Sequence, residues 1–175
     1  MMFSACSRCV LALTLALQLK AAPPPSFDRF HVDEVFRGQL AQPLRNTRDA
    51  RLFRTLIAES VKKGPNFAGK YTIAQWGCGT SCIGIAVINE ETGTVYDGPF
   101  RFLQYDGSMK YSDGTYSLSD DFEPIGYRQD SRLLIVRGCP DSESYTGCAV
   151  FYYEWQERRF RLIEKLPASR VAVRP

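Results

Sequence analysis

The chain has 175 residues, of which 45% are hydrophobic, 23% charged and 13% aromatic, and its formal net charge is +3 at pH 7. This length allows one ordinary domain, and the balance of apolar and charged residues excludes a disordered chain. The small net charge argues against a strongly basic nucleic-acid-binding protein, and the single histidine, His31, excludes a metal site built from several histidines.

The N-terminus has the pattern of a secretory signal peptide. Arg8 supplies a positive charge, and residues 9–19 (CVLALTLALQL) form an apolar run. Such a run fits the apolar region of a signal peptide, and it is shorter than the roughly 20 residues that span a bilayer. We therefore predict a signal peptide over residues 1–22 and one β-rich domain over residues 23–175. An uncleaved membrane anchor is the alternative.

A short strand and then one substantial helix are predicted after the proline-rich residues 23–25. The strand covers residues 32–37 and ends at Gly38. Thr47 has the position of a helix N-cap, and Gly64 with Pro65 ends the helix. The apolar residues of this helix recur at helical spacing and are expected to form one core-facing stripe. That stripe comprises Leu52, Phe53, Leu56, Ile57 and Val61.

Residues 64–70 (GPNFAGK) match the first part of the P-loop that binds nucleotide phosphates. A P-loop follows a strand, precedes a helix and ends in a hydroxyl residue that binds Mg²⁺. Here a helix precedes the motif, a strand follows it, and Tyr71 stands at the hydroxyl position. We interpret the segment as a helix stop followed by a loop that enters a strand.

Four cysteines follow the predicted cleavage site, and an even number in an exported chain favours disulfides. They are Cys78, Cys82, Cys139 and Cys148. Each neighbouring pair is flanked by β-rich runs, so each is expected at the loop end of a β-hairpin, where opposite Cα atoms are close enough to be bridged. We predict the disulfides Cys78–Cys82 and Cys139–Cys148. A four-cysteine zinc site is the alternative, although the cysteine spacing lacks the usual short knuckles.

The two cysteine hairpins continue in a similar way along the chain. Each is followed by a turn and a third strand, so the two halves form a weak internal repeat of a β-meander. The predicted class is α+β, a mainly antiparallel meander sheet with one substantial helix packed on it. Residues 151–153 (FYY) place aromatic side chains on both faces of their strand. We expect one face to contact the helix, and a binding surface is the alternative.

No catalytic residue can be assigned from the sequence, and no cofactor or metal is predicted. A nucleophile such as Ser81 would need a base, and His31 is the only histidine. Carboxylates are concentrated in one region, where two of them occur in Asp-Gly turns. This acidic region comprises Asp106, Asp113, Asp120, Asp121 and Glu123. A pair of them would suit a glycan hydrolase, but their spacing does not indicate which pair.

The two cysteine loops are the predicted binding elements, because a disulfide holds a loop in a fixed shape. Their candidate contact residues are Trp76, Gly79, Thr80 and Ser81 in the first loop and Asp141, Glu143 and Tyr145 in the second.

Residues 64–72 (GPNFAGKYT) and 76–82 (WGCGTSC) resemble a recurrent motif of small exported bacterial proteins, as do residues 34–38 (EVFRG) and 130–134 (DSRLL). This resemblance implies a periplasmic or secreted bacterial protein and implies no activity.

These observations together predict an exported envelope protein that binds another protein or a cell-surface ligand without catalysis. Its expected partner is an envelope or extracellular protein or a surface glycan. No nucleic-acid partner is expected, and no stable membrane span is expected after signal cleavage. The alternatives are a carboxylate-dependent hydrolase that acts on glycans and a structural component of the envelope.

Overall fold

The computed structural model describes residues 22–117 and 119–170. Apart from Ala22, the predicted signal peptide lies outside these residues. Within the described part of the chain, no helix is long and apolar enough to cross a membrane.

The described residues form one short 3₁₀ helix, two α-helices and nine strands. The 3₁₀ helix covers Phe27–Phe30, and the α-helices are α1 (Arg48–Leu52) and α2 (Arg54–Val61). The first six strands are β1 (Tyr71–Gly79), β2 (Cys82–Asn89), β3 (Val95–Asp97), β4 (Leu103–Gln104), β5 (Met109–Tyr111) and β6 (Ile125–Tyr127). The last three are β7 (Leu133–Pro140), β8 (Ala149–Gln156) and β9 (Arg159–Arg170).

All strand pairs are antiparallel, in the order β1-β2-β4-β7-β8-β9-β5, with β3 paired to β2 and β6 paired to β7. Two three-stranded meanders, β1–β3 and β7–β9, are therefore joined through the short strand β4. The mainly antiparallel β architecture predicted from the sequence is confirmed.

The predicted single helix is only partly correct, because the chain forms two short helices. Thr47 is the N-cap, and its hydroxyl oxygen accepts a hydrogen bond of 3.0 Å from the backbone N–H of Ala50. The helix is interrupted at Phe53, whose φ and ψ of −104° and 25° depart from helical values. Residues 32–37 were predicted to form a strand, but they run as an irregular connection without ladder pairing.

The predicted apolar stripe of the helix is also only partly correct. Ile57 and Val61 are buried and Phe53 is half-buried, whereas 60% of Leu52 and 48% of Leu56 is exposed. The reason is geometric, since residues 53, 57 and 61 repeat every four positions on one face. Leu52 and Leu56 lie one residue before this face and point away from the sheet.

Side-chain alternation divides the core into three clusters on successive faces of the sheet. The central cluster contains residues from both meanders, including Ile73, Val87, Leu134 and Trp155. A second cluster packs α2 and Ala50 against the other face of β1 and β2. The third lies on the other face of β7 and β8. The two meanders thus pack against each other, and each has its outer face covered.

The aromatic run at residues 151–153 confirms the expected alternation and corrects the expected contact. Phe151 belongs to the central cluster and Tyr152 to the third. Neither face contacts the helix, because the helices cover β1 and β2. Tyr152 is covered instead by β5 and by Phe27 and Phe30 of the 3₁₀ helix.

Both predicted disulfides are present. The sulfur atoms of Cys78 and Cys82 and those of Cys139 and Cys148 lie at bonding distance, with Cα–Cα separations of 5.1 Å and 4.0 Å. The zinc-site alternative is overturned, because sulfurs joined in pairs are not available as thiolate ligands. Disulfides of this kind are compatible with an oxidising, exported environment.

Candidate functional site

The two cysteine loops lie at the same end of the sheet. Cys82 pairs with Gln104 of β4, and Gln104 pairs in turn with Cys139 of β7. Neighbouring strands lie about 4.8 Å apart, so two strand spacings separate the disulfides. Strand β4, which was not predicted, therefore brings together two loops that are distant in sequence.

A groove of about 1010 Å³ lies beside these loops. It is lined by α1, by the turn between β3 and β4, and by residues of both cysteine loops. Its charged, aromatic and aliphatic lining side chains include Arg48, Asp49, Leu52, Phe53, Trp76, Asp97, Arg101, Asp141 and Glu143. A second recess of about 730 Å³ adjoins the groove along residues 101–102, 140–144 and 146. We call the larger cavity the loop groove.

The apolar part of the loop groove is a stacked aromatic pair. The rings of Phe53 and Trp76 lie 4.2 Å apart between centroids, with an interplanar angle of 19°. On its other side Trp76 lies against Gly84 of β2, where a Cβ atom would come within 2.3 Å of the Trp76 indole nitrogen. The glycine at this position therefore allows the indole to lie flat on the neighbouring strand. The exposed Leu52 extends the apolar surface beyond the pair.

The polar part of the loop groove is acidic. Its lining includes four carboxylates, Asp49, Asp97, Asp141 and Glu143, and two arginines, Arg48 and Arg101. Burial raises the pKa of Asp49, the charge of Asp97 raises it further, and Arg48 lowers it. The excess of negative charge favours a ligand that carries positive charge.

Asp141 is held in place by the opposite wall of the loop groove. Its carboxylate accepts hydrogen bonds from the backbone N–H groups of Arg101 and Phe102, at 2.9 Å and 3.3 Å. Its own backbone N–H donates to the Phe102 carbonyl at 2.9 Å. The start of the second cysteine loop is thus fixed to the turn before β4, and a fixed loop loses less entropy when it binds a ligand.

The structure brings together some of the predicted contact residues. Trp76, Asp141 and Glu143 line the loop groove. Gly79, Thr80 and Ser81 lie at the tip of the β1–β2 hairpin, and Tyr145 is half-buried in the second loop; none of these four lines the groove. The sequence pattern gave no indication of the wall formed by α1 and by residues 97–102. Leu52 is exposed, but its position in the apolar stripe had predicted that it faces the core.

Two carboxylates of the acidic region, Asp106 and Asp113, are bound by neighbouring groups. Asp113 forms an ion pair with Arg137 at 2.7 Å and accepts a hydrogen bond from the backbone N–H of Thr115. Burial raises the pKa of Asp113, but these two contacts outweigh burial and hold the pKa below its ordinary value. Hydrogen bonds from Ser108 lower the pKa of Asp106. Both shifts are opposite to the raised pKa that a general acid requires.

The remaining candidate for acid–base chemistry, His31, is half-exposed beside two carboxylates. Its ring nitrogens lie 3.5 Å from Asp33 and 3.7 Å from Asp130. Among residues 22–117 and 119–170, no group of three or more histidine, cysteine or acidic residues is placed to hold a metal ion.

No family model, curated protein or solved structure matches this chain.

Proposed function

We propose that the protein is an exported binding module and that the loop groove holds its ligand. The observation that carries the proposal is the convergence of both cysteine loops with α1 on one cavity. A stacked aromatic pair and an exposed leucine supply apolar surface there, and acidic side chains supply charge. Sites for ligands generally combine apolar walls with a few placed polar groups.

The ligand that best fits this lining is a protein segment with a basic side chain next to an apolar one. The basic group would lie near Asp97, Asp141 and Glu143, and the apolar group would lie against Phe53 and Leu52. Asp141 is already held by backbone hydrogen bonds, so it need not reorganise on binding. A partner in the envelope or the extracellular space is consistent with the two disulfides.

Site-specific photocrosslinking tests the proposal. A benzophenone amino acid replaces Leu52 at the rim of the loop groove or, as a matched control, Leu162 of β9, which is exposed to 49%. The protein is expressed in its native cell and irradiated there. We expect a discrete crosslinked product from position 52 that is absent from position 162 and is weakened by Asp141→Asn. Identical products from both positions, or none from position 52, would refute the proposal.

A carboxylate-dependent hydrolase is the second candidate, and one observation favours it in the loop groove. Asp49 and Asp97 both line the loop groove, and burial and then the charge of Asp97 raise the pKa of Asp49. Glycan hydrolysis uses a pair of carboxyl groups, of which the general acid has a raised pKa. Such an enzyme would release reducing ends from a glycan substrate, and Asp49→Asn would abolish the release. A binding module would release none.

A further inference from the structure

Strand β1 is an edge of the sheet, and its outer side is only partly covered. In an antiparallel pair the backbone hydrogen bonds alternate, so every second residue directs its N–H and C=O groups away from the partner strand. In β1 these are the odd-numbered residues. Tyr71 exchanges hydrogen bonds of 2.9 Å with Phe67, and the Ile73 N–H donates to the Asn66 side chain at 2.8 Å.

The outward backbone groups of β1 are hydrogen-bonded only as far as Ile73. The Asn66 side-chain amide also donates to the Ile73 carbonyl at 3.2 Å, and so occupies both groups of that residue. Further along the strand, the outward backbone groups of Gln75 and Gly77 have no hydrogen-bond partner among the described residues. Both residues are exposed.

Strand β6 also has backbone N–H and C=O groups that point away from its partner strand, β7. The Arg137 N–H donates to the Pro124 carbonyl at 2.7 Å, so even-numbered residues of β6 face β7. Ile125 and Tyr127 therefore direct their N–H and C=O groups to the other side, and these groups also have no partner within the described residues.

The loop at residues 64–70 connects these two strand edges at one end. It bonds to β1 through Asn66 and Phe67, and its Ala68 and Gly69 N–H groups donate to the carbonyls of Ser131 and Gln129, at 3.1 Å and 2.7 Å. This loop therefore occupies the position of a strand between β1 and the chain after β6. Where the loop ends, none of residues 22–117 and 119–170 bonds to β1 in this position.

The empty position is a slot between two strand edges. Across it the Gln75 side-chain amide donates to the Tyr127 hydroxyl at 3.0 Å, and a cavity of about 370 Å³ lies there, lined by these two residues and residues 122–125. We call it the edge slot. Residues 75–79 (QWGCG) contain none of the lysines or prolines that often protect an edge, and a Cβ atom at Gly77 would meet no heavy atom closer than 4.0 Å.

We propose that the edge slot binds an extended peptide segment of a partner protein by β-strand addition. The peptide would hydrogen-bond to Gln75 and Gly77 on one side and to Ile125 and Tyr127 on the other. Side chains that point inward would meet Phe122, Ile125 and Tyr127, so this face of the peptide should be apolar. The proposal concerns a surface separate from the loop groove.

A second copy of the chain does not fit the edge slot as well as an isolated segment does. The slot offers hydrogen-bonding groups on two sides, so its occupant must have both of its own edges free. The β1 strand of another molecule already pairs with β2 along one edge. A loop or a tail that becomes extended on binding has both edges free.

Selection of peptides on the oxidised protein tests the proposal. A phage-displayed library of random decapeptides supplies the probes, and the selected peptides are measured by fluorescence anisotropy. Gln75→Pro removes one outward N–H of β1. We expect this variant to weaken peptide binding about tenfold or more, because one hydrogen bond is lost and the peptide fits less well. Gln75→Thr keeps that N–H and loses only the side-chain hydrogen bond to Tyr127, so it should weaken binding less than Gln75→Pro does. N-methylation of either alternate set of peptide residues should abolish binding, because one set directs its N–H groups to β1 and the other set to β6.

Hydrogen exchange in the wild-type protein gives a second measurement, which does not depend on whether Gln75→Pro folds. The Gln75 and Gly77 amides should exchange faster than those of Ala74 and Trp76 in the free protein and should become protected when a selected peptide binds. The proposal is wrong if no peptide protects them, or if the selected peptides are insensitive to Gln75→Pro and are lost with Phe53→Ala. A dimer that Gln75→Pro dissociates would show that the occupant is a second copy.

Discussion

Glu90 has a fully buried carboxyl group, whose one hydrogen-bond partner among the described residues is the Thr72 hydroxyl. Its side chain lies within hydrogen-bonding distance of the Thr72 hydroxyl, and the second carboxyl oxygen has no partner among the described residues. Thr72 also donates to the Gly64 carbonyl at 2.9 Å. Since a hydroxyl has one proton, both bonds can form only when the protonated Glu90 donates to Thr72.

Burial raises the pKa of Glu90 above its ordinary value of 4.5, and the hydrogen bond that Thr72 would donate to the ionised carboxylate lowers this pKa in part. Between the unfolded-state and folded-state pKa values, the folded chain therefore keeps a proton that the unfolded chain has released. Stability should fall as the pH rises from about 4.5 to the folded-state pKa and should then stay level. The loss is about 1.4 kcal/mol for every tenfold difference in proton affinity between the two states.

Glu90→Gln should remove this pH dependence, because a neutral amide can donate to Thr72 and cannot ionise. Urea unfolding measured between pH 4 and pH 8 would show the variant gaining stability over the wild type as the pH rises. Glu59→Gln, at an exposed position of α2, is the control and should follow the wild-type curve. If the Glu90→Gln and wild-type curves are parallel, the carboxyl is ionised in the folded protein.

At the scale of elements, α1 is too short to be stable alone. It has five residues, far fewer than an isolated helix needs, so its position depends on the N-cap and on packing. Thr47 supplies the cap, and Ala50 and Phe53 pack against β1 and β2. This matters for the loop groove, because α1 carries Arg48, Asp49 and Leu52 into its wall.

Thr47→Ala should destabilise the protein by about 1 kcal/mol, because the Ala50 N–H loses its acceptor at the start of α1. Thr47→Ser retains the hydroxyl and should stay within a few tenths of a kcal/mol of the wild type. Denaturant unfolding at neutral pH measures both variants. Equal stabilities of the two variants would mean that the cap does not hold α1 in place.

At the scale of the whole molecule, the two disulfides lie at the same end of the sheet. The loop at residues 64–70 bonds the edge strand β1 to the chain after β6. Cys139 is fully buried beside β4, whereas Cys78 is exposed at the hairpin tip. Each disulfide restricts the unfolded chain over a short loop, and the loop closed by Cys139 and Cys148 is the longer of the two.

Replacing each cysteine pair by alanines should therefore cost about 2–3 kcal/mol on the chain-entropy model, with the larger loss for Cys139→Ala with Cys148→Ala. Paired replacement avoids a free thiol, and unfolding under non-reducing conditions measures the difference. A larger loss from Cys78→Ala with Cys82→Ala would mean that native-state contacts of the first loop outweigh loop entropy.

Features that depend on neighbouring residues could be predicted from the sequence. The two hairpins, their disulfide partners and the Thr47 cap all join residues that are close in the chain, and their patterns are local. The helix was predicted less well, because an apolar pattern cannot distinguish Leu52 from Ile57 when both satisfy helical spacing. Only the position of the sheet decides which of them is buried.

Local patterns were enough to predict a disulfide-bonded, mainly antiparallel β protein, because alternation, turns and cysteine spacing act over a few residues. Long-range packing places strand β4 between the two meanders, turns α1 toward both cysteine loops and buries Glu90. These contacts connect distant parts of the chain, and their geometry depends on how whole strands pack. The loop groove and the edge slot exist only at that level.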